Sequence, residues 1–283
     1  MEKEAAINLF IQNALEEDIG DGDHSTLSTI EPGKEGVAVL KIKENGVLAG
    51  LAFAERIFRF RESLCEFISF KSDGDEMNVG ENAFEVKAHI HTILQCERLV
   101  LNCMQRMSGI ATLTNQYIKK LEGYNTRLLD TRKTTPNFRI AEKEAVRIGG
   151  GYNHRFGLYD MIMLKDNHID YCGGIEKAIN KAWQYVQEKK PGLLIEVETR
   201  NLDDVKTVMK TGKINRIMLD NFSPDQISEA LKIIDGQYET EASGGINLDN
   251  LELYAATGVD FISSGAIIHQ ARSLDLSLKA VIK

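Results

Sequence analysis

From residue 127 to the C-terminus the sequence alternates short β-rich runs with helical ones, and this alternation narrows the possible folds more than any other feature. The β-rich runs are RLLD (127–130), MIMLK (161–165), LLIEVE (193–198), RIMLD (216–220), YETEAS (238–243) and FISSG (261–265). Helical patterns lie near 138–148, 174–189, 202–211, 224–234 and 248–257, several opened by the capping runs Asn-Leu-Asp and Ser-Pro-Asp. Repeated strand–helix units imply a parallel sheet with right-handed crossovers, most simply a (β/α) barrel. Six to seven strands are fewer than a closed barrel needs, so an open one is expected.

The preceding part of the chain has a different rhythm. Residues 4–17 place Ile7, Phe10, Ile11, Ala14 and Leu15 on one helical face. DIGDGDHST (18–26) reads as a polar turn or lid, since its carboxylates lack the ligand order of a calcium loop. From 36 to 91 the period is two, with Val37, Val39 and Lys41 alternating with Ala38, Leu40 and Ile42, and Phe84, Val86, Ala88 and Ile90 alternating with polar partners. A short helix (52–60), a strand near 66–71 and the turn DGDE (73–76) fall between them. This is an α+β domain. His89 and His91 are expected on one strand face as solvated surface. Residues 93–121 form a long helix containing Gly109, which weakens it by roughly 1 kcal/mol relative to Ala and points to close packing or a bend. Arg98 in that helix has two open readings: pairing with Glu97 or snorkelling to solvent, or a guanidinium presented to a site or subunit interface. LDLSLKAVI (274–282) alternates as a strand that returns to the first domain.

A net charge of −8 and a pI near 5.4 give no general attraction to nucleic acid or to an anionic membrane. No apolar run is long enough to span a bilayer and no secretion signal is visible. Cys65, Cys96, Cys103 and Cys172 have no framework spacing and read as reduced thiols, so a cytoplasmic location is expected.

In an acidic chain, a local basic cluster is informative. Residues 130–168 gather Arg132, Lys133, His154, Arg155 and Lys165 around a glycine triplet, 149–151. In α/β barrels the site is built where strands end. Those places here hold Asp130, Arg132 and Lys133, then Lys165, then Glu198, then Asp220 and Asn221, then Ser243, Gly244 and Gly245, then Ser263, Ser264, Gly265 and Ala266. Arginines suit bidentate capture of carboxylates. Glu198 and Asp220 could hold Mg²⁺ or ribose hydroxyls, and the Gly-Ser loops can bring N–H groups to a phosphate. His154, beside Arg155, is expected to be a hydrogen-bond donor rather than a proton carrier; the alternative is an exposed loop histidine. The site therefore expects a polycarboxylate together with a phosphorylated sugar.

The stretches EDIGDGD, ERLVLNCMQRMSGIAT, DTRKTTPNFR, GGGYNHRFGLYDMIMLKDNH, IEVETRNLDD, IMLDNF, EASGGI and ISSGAI closely resemble the quinolinate phosphoribosyltransferase family, in order, from about residue 5 onward. The resemblance implies an α/β chain with an N-terminal α+β sandwich-like domain (1–112, rejoined by 272–283) and an open (β/α) barrel (113–271). It implies an enzyme of NAD biosynthesis, a pentosyltransferase acting on quinolinate and phosphoribosyl pyrophosphate with Mg²⁺. It further implies a homodimer, or a higher assembly of dimers, with Arg98 reaching the partner's site. Arg98, Arg132, His154, Arg155 and Lys165 match quinolinate-binding positions. Lys133, Lys165, Glu198 and Asp220 match catalytic ones, the last two also holding the metal directly or through water. Lys133, Thr134, Ser243, Gly244, Gly245, Ser264, Gly265, Ala266 and His269 match phosphoribosyl and phosphate positions. One departure is KTGKIN (210–215), which separates Glu198 from Asp220 by one residue more than expected and reads as a loop insertion. Competing readings are a Schiff-base aldolase-type barrel using Lys165, a molybdenum-transport-associated homologue, and a binding protein without turnover.

Overall fold

In the computed structural model, which describes residues 3–281, the opening helical period becomes α1 (Lys3–Ile19), with Ile7, Ile11 and Leu15 buried. The last residue of the expected 274–282 strand, and the end of 272–283, lie outside the described residues. The expected 18–26 turn is partly helical: α2 (His24–Thr29) starts inside it, and Asp23 accepts from the Thr26 N–H and hydroxyl as its N-cap. That carboxylate is occupied by capping.

The two-residue period yields β1 (Glu35–Ile42), the short β2 (Gly46–Val47), α3 (Leu51–Arg61), β3 (Glu66–Ser69), the short β4 (Glu76–Met77) and β5 (Asn82–His89). β5 lies between β1 and β3, antiparallel to both, with Ala38 opposite Val86 and Leu40 opposite Phe84. Those four side chains are buried on one face, and the Phe84 ring stacks on Phe67 at 4.5 Å and meets Phe58 of α3 edge-on at 6.2 Å. Asp73, in the turn before β4, accepts from Leu51 and Ala52 N–H at 2.8 and 3.2 Å, supplying the cap that Gly50 cannot.

β5 ends at His89, and α4 (Ile90–Lys120) begins at once, so His91 lies in a helix and not on the strand face expected for it. His89 Nδ1 faces Glu62 at 2.9 Å, and His91 Nε2 meets the Ile30 carbonyl at 3.0 Å.

The barrel strands are β6 (Arg127–Leu129), β7 (Ile162–Leu164), β8 (Ile195–Thr199), β9 (Arg216–Asp220), β10 (Glu239–Ser243) and β11 (Phe261–Ser263). All are parallel, in the order β6-β11-β10-β9-β8-β7. The sheet is open, and Tyr152 adds a single parallel bridge to Leu129 beyond β6. Between β6 and β7 comes α5 (Arg139–Ile148); after β7 come α6 (Asp166–Cys172) and α7 (Ile175–Lys189). The remaining helices are α8 (Leu202–Thr211), α9 (Pro224–Ile234), α10 (Leu251–Ala255) and α11 (Ala266–His269). α6 has no counterpart in the sequence reading because only Ile169 of its seven residues is buried, leaving no amphipathic stripe to detect.

The chain closes with β12 (Leu276–Ala280), antiparallel to β1 on the side away from β5. The described residues form two compact units: 3–115 with 134–150 and 268–281, and 116–133 with 151–267. α5 thus groups with the first unit although it lies between barrel strands. Buried Glu142 of α5 accepts from Thr135 N–H and Oγ1 (2.8 and 2.9 Å) and from Arg106 Nε (2.9 Å), while Arg106 also donates to the Ile268 and Ala271 carbonyls.

Gly109 is explained by close approach. A Cβ there would lie 1.8 Å from the Arg272 carbonyl oxygen. Gly109→Ala is therefore expected to destabilise the fold by about 1–3 kcal/mol, an overpacking penalty that outweighs alanine's better helix propensity. Urea unfolding measures this, and an unchanged midpoint would contradict it.

Candidate active site

Parallel pairing sets the barrel strands in step. Glu198 and Glu241 both stand opposite Met218, and Ser243 stands opposite Asp220. Partners across a sheet point the same way and successive side chains alternate. Glu196, Glu198, Met218, Asp220, Glu241 and Ser243 therefore share one face, while Ile195, Val197, Ile217, Leu219 and Ala242 occupy the other.

At the C-terminal ends of β7, β8 and β9 the expected residues come together. Lys165 Nζ lies 3.9 Å from Glu198 Oε2. Burial raises the Glu198 carboxyl above its ordinary value and the charge of Asp220 raises it further, against the pull of Lys165 and a backbone hydrogen bond at Asp166. Two hard-oxygen donors thus repel each other beside a single ammonium. Asn221, at φ 57°, donates its N–H to the Ser243 carbonyl at 2.8 Å and its side-chain amide to Asp220 at 2.6 Å. That brings Asn221 so near the next strand's loop that a Cβ on Gly244 (φ 95°) would sit 2.3 Å from its Oδ1. Glycine is required there.

The phosphate-type loops are only partly open. Gly245 is exposed, Ser243, Gly244 and Gly265 are half-buried, and Ala266 is buried at the start of α11. Ser264 donates its hydroxyl to the Ile246 carbonyl at 2.9 Å and its N–H to Leu129, so both groups serve the fold.

On the cationic side Arg132 and Lys133 follow β6 and are exposed. Arg155 is half-buried, with Nη1 donating to the Met161 carbonyl at 3.2 Å. Burial and then the charge of Arg132 lower its pKa, so the two guanidiniums stand near enough to repel. An anion between or beside them would relieve that repulsion.

His154 is not an exposed loop histidine. Its ring is buried, with Nε2 3.0 Å from Glu196 and 3.2 Å from Glu241 and Nδ1 accepting the Arg155 N–H at 2.7 Å. Burial works against its protonation and the two carboxylates favour it, but Nδ1, as acceptor of the Arg155 N–H, has no place for a second ring proton, so the ring is neutral. Asp130, fully buried at the end of β6, accepts the His154 backbone N–H at 2.8 Å and so pins the loop. Sequence reasoning missed Glu196, Glu241 and Arg216. The available signal was an acidic residue in mid-strand (IEVE, ETEA) in a parallel sheet, where a charge needs a buried partner.

Arg98, Thr134 and His269 belong to the other compact unit. Arg98 is exposed on α4, and its guanidinium makes no hydrogen bond or ion pair with any described residue, Glu97 included. Thr134 Oγ1 accepts from Arg139 at 2.9 Å, and His269 is exposed at the end of α11.

An open parallel barrel with cations, carboxylates and glycine loops at its strand ends is an α/β architecture whose site residues suit an anionic ligand. Comparison with known proteins specifies the family. Models of the quinolinate phosphoribosyl transferase N-terminal and C-terminal domains match residues 23–108 and 110–279. The quinolinate phosphoribosyltransferase [decarboxylating] 1b of Nicotiana tabacum is 42% identical over 284 residues, covering 95% of this chain and 81% of the relative. The nicotinate-nucleotide pyrophosphorylase structure from Francisella tularensis superposes with a TM-score of 0.90 at 37% identity, covering 99% of this chain and 98% of that one. NadC from Streptococcus pyogenes gives 0.88 at 39% identity, covering 96% of each chain. The chain belongs to the quinolinate phosphoribosyltransferase family.

The Glu198–Asp220 repulsion has a measurable consequence. Because Glu198 is raised in the folded state, its ionisation opposes folding above the ordinary carboxylate range. Asp220→Asn keeps an acceptor for Asn221 while removing the like charge, so it should stabilise the chelator-treated protein by about 1 kcal/mol at pH 7. The gain should vanish in acid, where Glu198 is protonated in both states. Thermal melts at the two pH values test this; a lower melting temperature at pH 7 would contradict it.

Proposed function

We propose that this protein transfers the phosphoribosyl group of phosphoribosyl pyrophosphate to quinolinate with loss of one carboxyl group. The products are nicotinate mononucleotide, diphosphate and CO₂, and the step belongs to de novo NAD biosynthesis. The observation that carries this reading is the division of the strand ends in a member of this family. Arg132 and Arg155 repel each other on one side, and Glu198, Asp220 and Lys165 cluster on the other.

Arg132 and Arg155 are suited to gripping a dicarboxylate through paired N–H bonds, which would fix the pyridine nitrogen toward the anomeric carbon. As the bond from that carbon to diphosphate breaks, positive charge grows on the ribose ring, and Glu198 and Asp220 stabilise it. Lys133 opposes the charge of the departing diphosphate. The ring nitrogen supplies the electron pair for the new bond and becomes a pyridinium. The C2–carboxylate bond then breaks with its electron pair staying on C2, stabilised by the adjacent positive nitrogen; CO₂ leaves, and that pair takes a proton from water. Lys165 lies 3.9 Å from the Glu198 carboxylate, an arrangement that suits a counter-ion of anions more than a Schiff-base nucleophile.

Mg²⁺ fits the donor set, because Glu198 and Asp220 are hard oxygen ligands whose mutual repulsion a cation relieves, directly or through water. When bound, it neutralises charge on the diphosphate. We further propose a cytoplasmic homodimer in which Arg98 serves the partner's site, an exposed guanidinium that has no partner among the described residues.

The direct test incubates purified protein with quinolinate, phosphoribosyl pyrophosphate and Mg²⁺. Equal amounts of nicotinate mononucleotide, diphosphate and CO₂ are expected, and their absence defeats the assignment. Arg98→Ala and Arg132→Ala should each reduce activity by about 100-fold or more, as loss of a substrate-orienting charge does. Mixing the two inactive proteins should restore part of it through hybrid dimers. Failure to complement after demonstrated subunit exchange argues against a site shared between subunits.

A further inference from the structure

Glu241 lies in the middle of β10 and has no exposed surface. Its carboxylate meets Arg216 Nη1 at 3.1 Å and His154 Nε2 at 3.2 Å, and Ser263 hydrogen-bonds to it. Glu196 reaches the same His154 nitrogen from β8 at 3.0 Å. The other ring nitrogen, Nδ1, accepts the Arg155 N–H at 2.7 Å. A nitrogen that accepts a hydrogen bond carries no proton, so the ring's hydrogen is on Nε2, the nitrogen that lies beside the two carboxylates. The imidazole is thereby locked between the barrel interior and the main chain of Arg155. Arg155 is in turn fixed at its far end by the Met161 carbonyl.

We propose that Glu241 is a positioning residue for the pyridine dicarboxylate: by holding the His154 ring it sets the backbone of Arg155 and so aims that guanidinium at a substrate carboxylate. This rests on the functional reading above. Glu241 precedes the Ser243–Gly245 loop by two residues and is bonded by Ser263, which precedes the Ser264–Ala266 run, but its two charged partners, Arg216 and His154, lie in neither loop. Its loss should therefore fall on quinolinate and spare phosphoribosyl pyrophosphate.

The same geometry disfavours a metal in this place. His154, Glu196 and Glu241 bring potential ligand atoms within 4.8 Å of one another, but a metal on Nε2 needs the proton on Nδ1, where the Arg155 N–H points.

Glu241→Gln keeps the shape and removes the charge. Steady-state kinetics should show the KM for quinolinate raised by about 10-fold or more, with the KM for phosphoribosyl pyrophosphate changed less than about 3-fold. Glu241→Asp, which restores the charge, should recover part of the loss. Equal effects on both substrates, or an unchanged quinolinate KM, overturn the proposal. So does one equivalent of bound metal in the purified wild type that disappears in Glu241→Gln. A wild-type protein without turnover instead defeats the functional reading and takes this inference with it. If the variants fail to fold, the wild type still decides. Among its six histidines, a ¹⁵N-histidine spectrum at pH 7 should contain one imidazole held as the Nε2–H tautomer, and its absence overturns the proposal.

Discussion

Charge buried inside the barrel is the constraint that the site depends on. The strands of an all-parallel sheet normally read as apolar on both faces, yet Glu196 and Glu241 have no exposed surface here. Two ionised carboxylates in such surroundings would cost several kcal/mol each without partners. Arg216 supplies one partner, donating to Glu239 and Glu241, and His154 supplies the other. Burial, and then the charge of Glu241, push Glu196 up to about 7, so near neutrality the group is poised to hold a proton rather than a second full negative charge. The loop bearing His154 and Arg155 is fastened to this cluster and to Asp130. A strand-end site is thus mounted on a charged interior.

The barrel was legible because strands and helices alternate in hydrophobic period, and each expected strand has a counterpart within a residue or three at either end. The strand-end residues Lys165, Glu198, Asp220 and Ser243 were legible for the same reason, since the C-terminal end of a parallel strand is where a side chain can face a ligand. Other features depend on partners distant in sequence. His154 looked like a loop donor because nothing nearby announces Glu196, 42 positions later, or Glu241. The N-cap role of Asp73 on α3 and the clash that keeps Gly109 a glycine likewise become visible only once the segments meet. Short polar helices such as α6 give no period to read.

The chain passes from the barrel unit to the first unit between Lys133 and Thr134, which begins the segment that contains α5. Immediately beyond, Glu142 ties Thr135 to Arg106, and Arg106 ties α4 to the 268–271 turn. A single buried carboxylate therefore holds three stretches that are remote in sequence. The loop carrying Lys133 begins at a barrel strand and ends at a helix anchored elsewhere.

The pairing of β1 with β12 matters for how such a chain is made. β1 is complete by residue 42, whereas its partner strand spans Leu276–Ala280. On a ribosome, β1 can gain β5 early, but its other edge stays unpaired while the whole barrel is being synthesised. An exposed strand edge is a template for intermolecular pairing, and pairing that waits for distant residues is slow. The interval before Leu276–Ala280 emerge is thus a stage at which the free edge of β1 is exposed to intermolecular pairing, and a chaperone that shields it would act there.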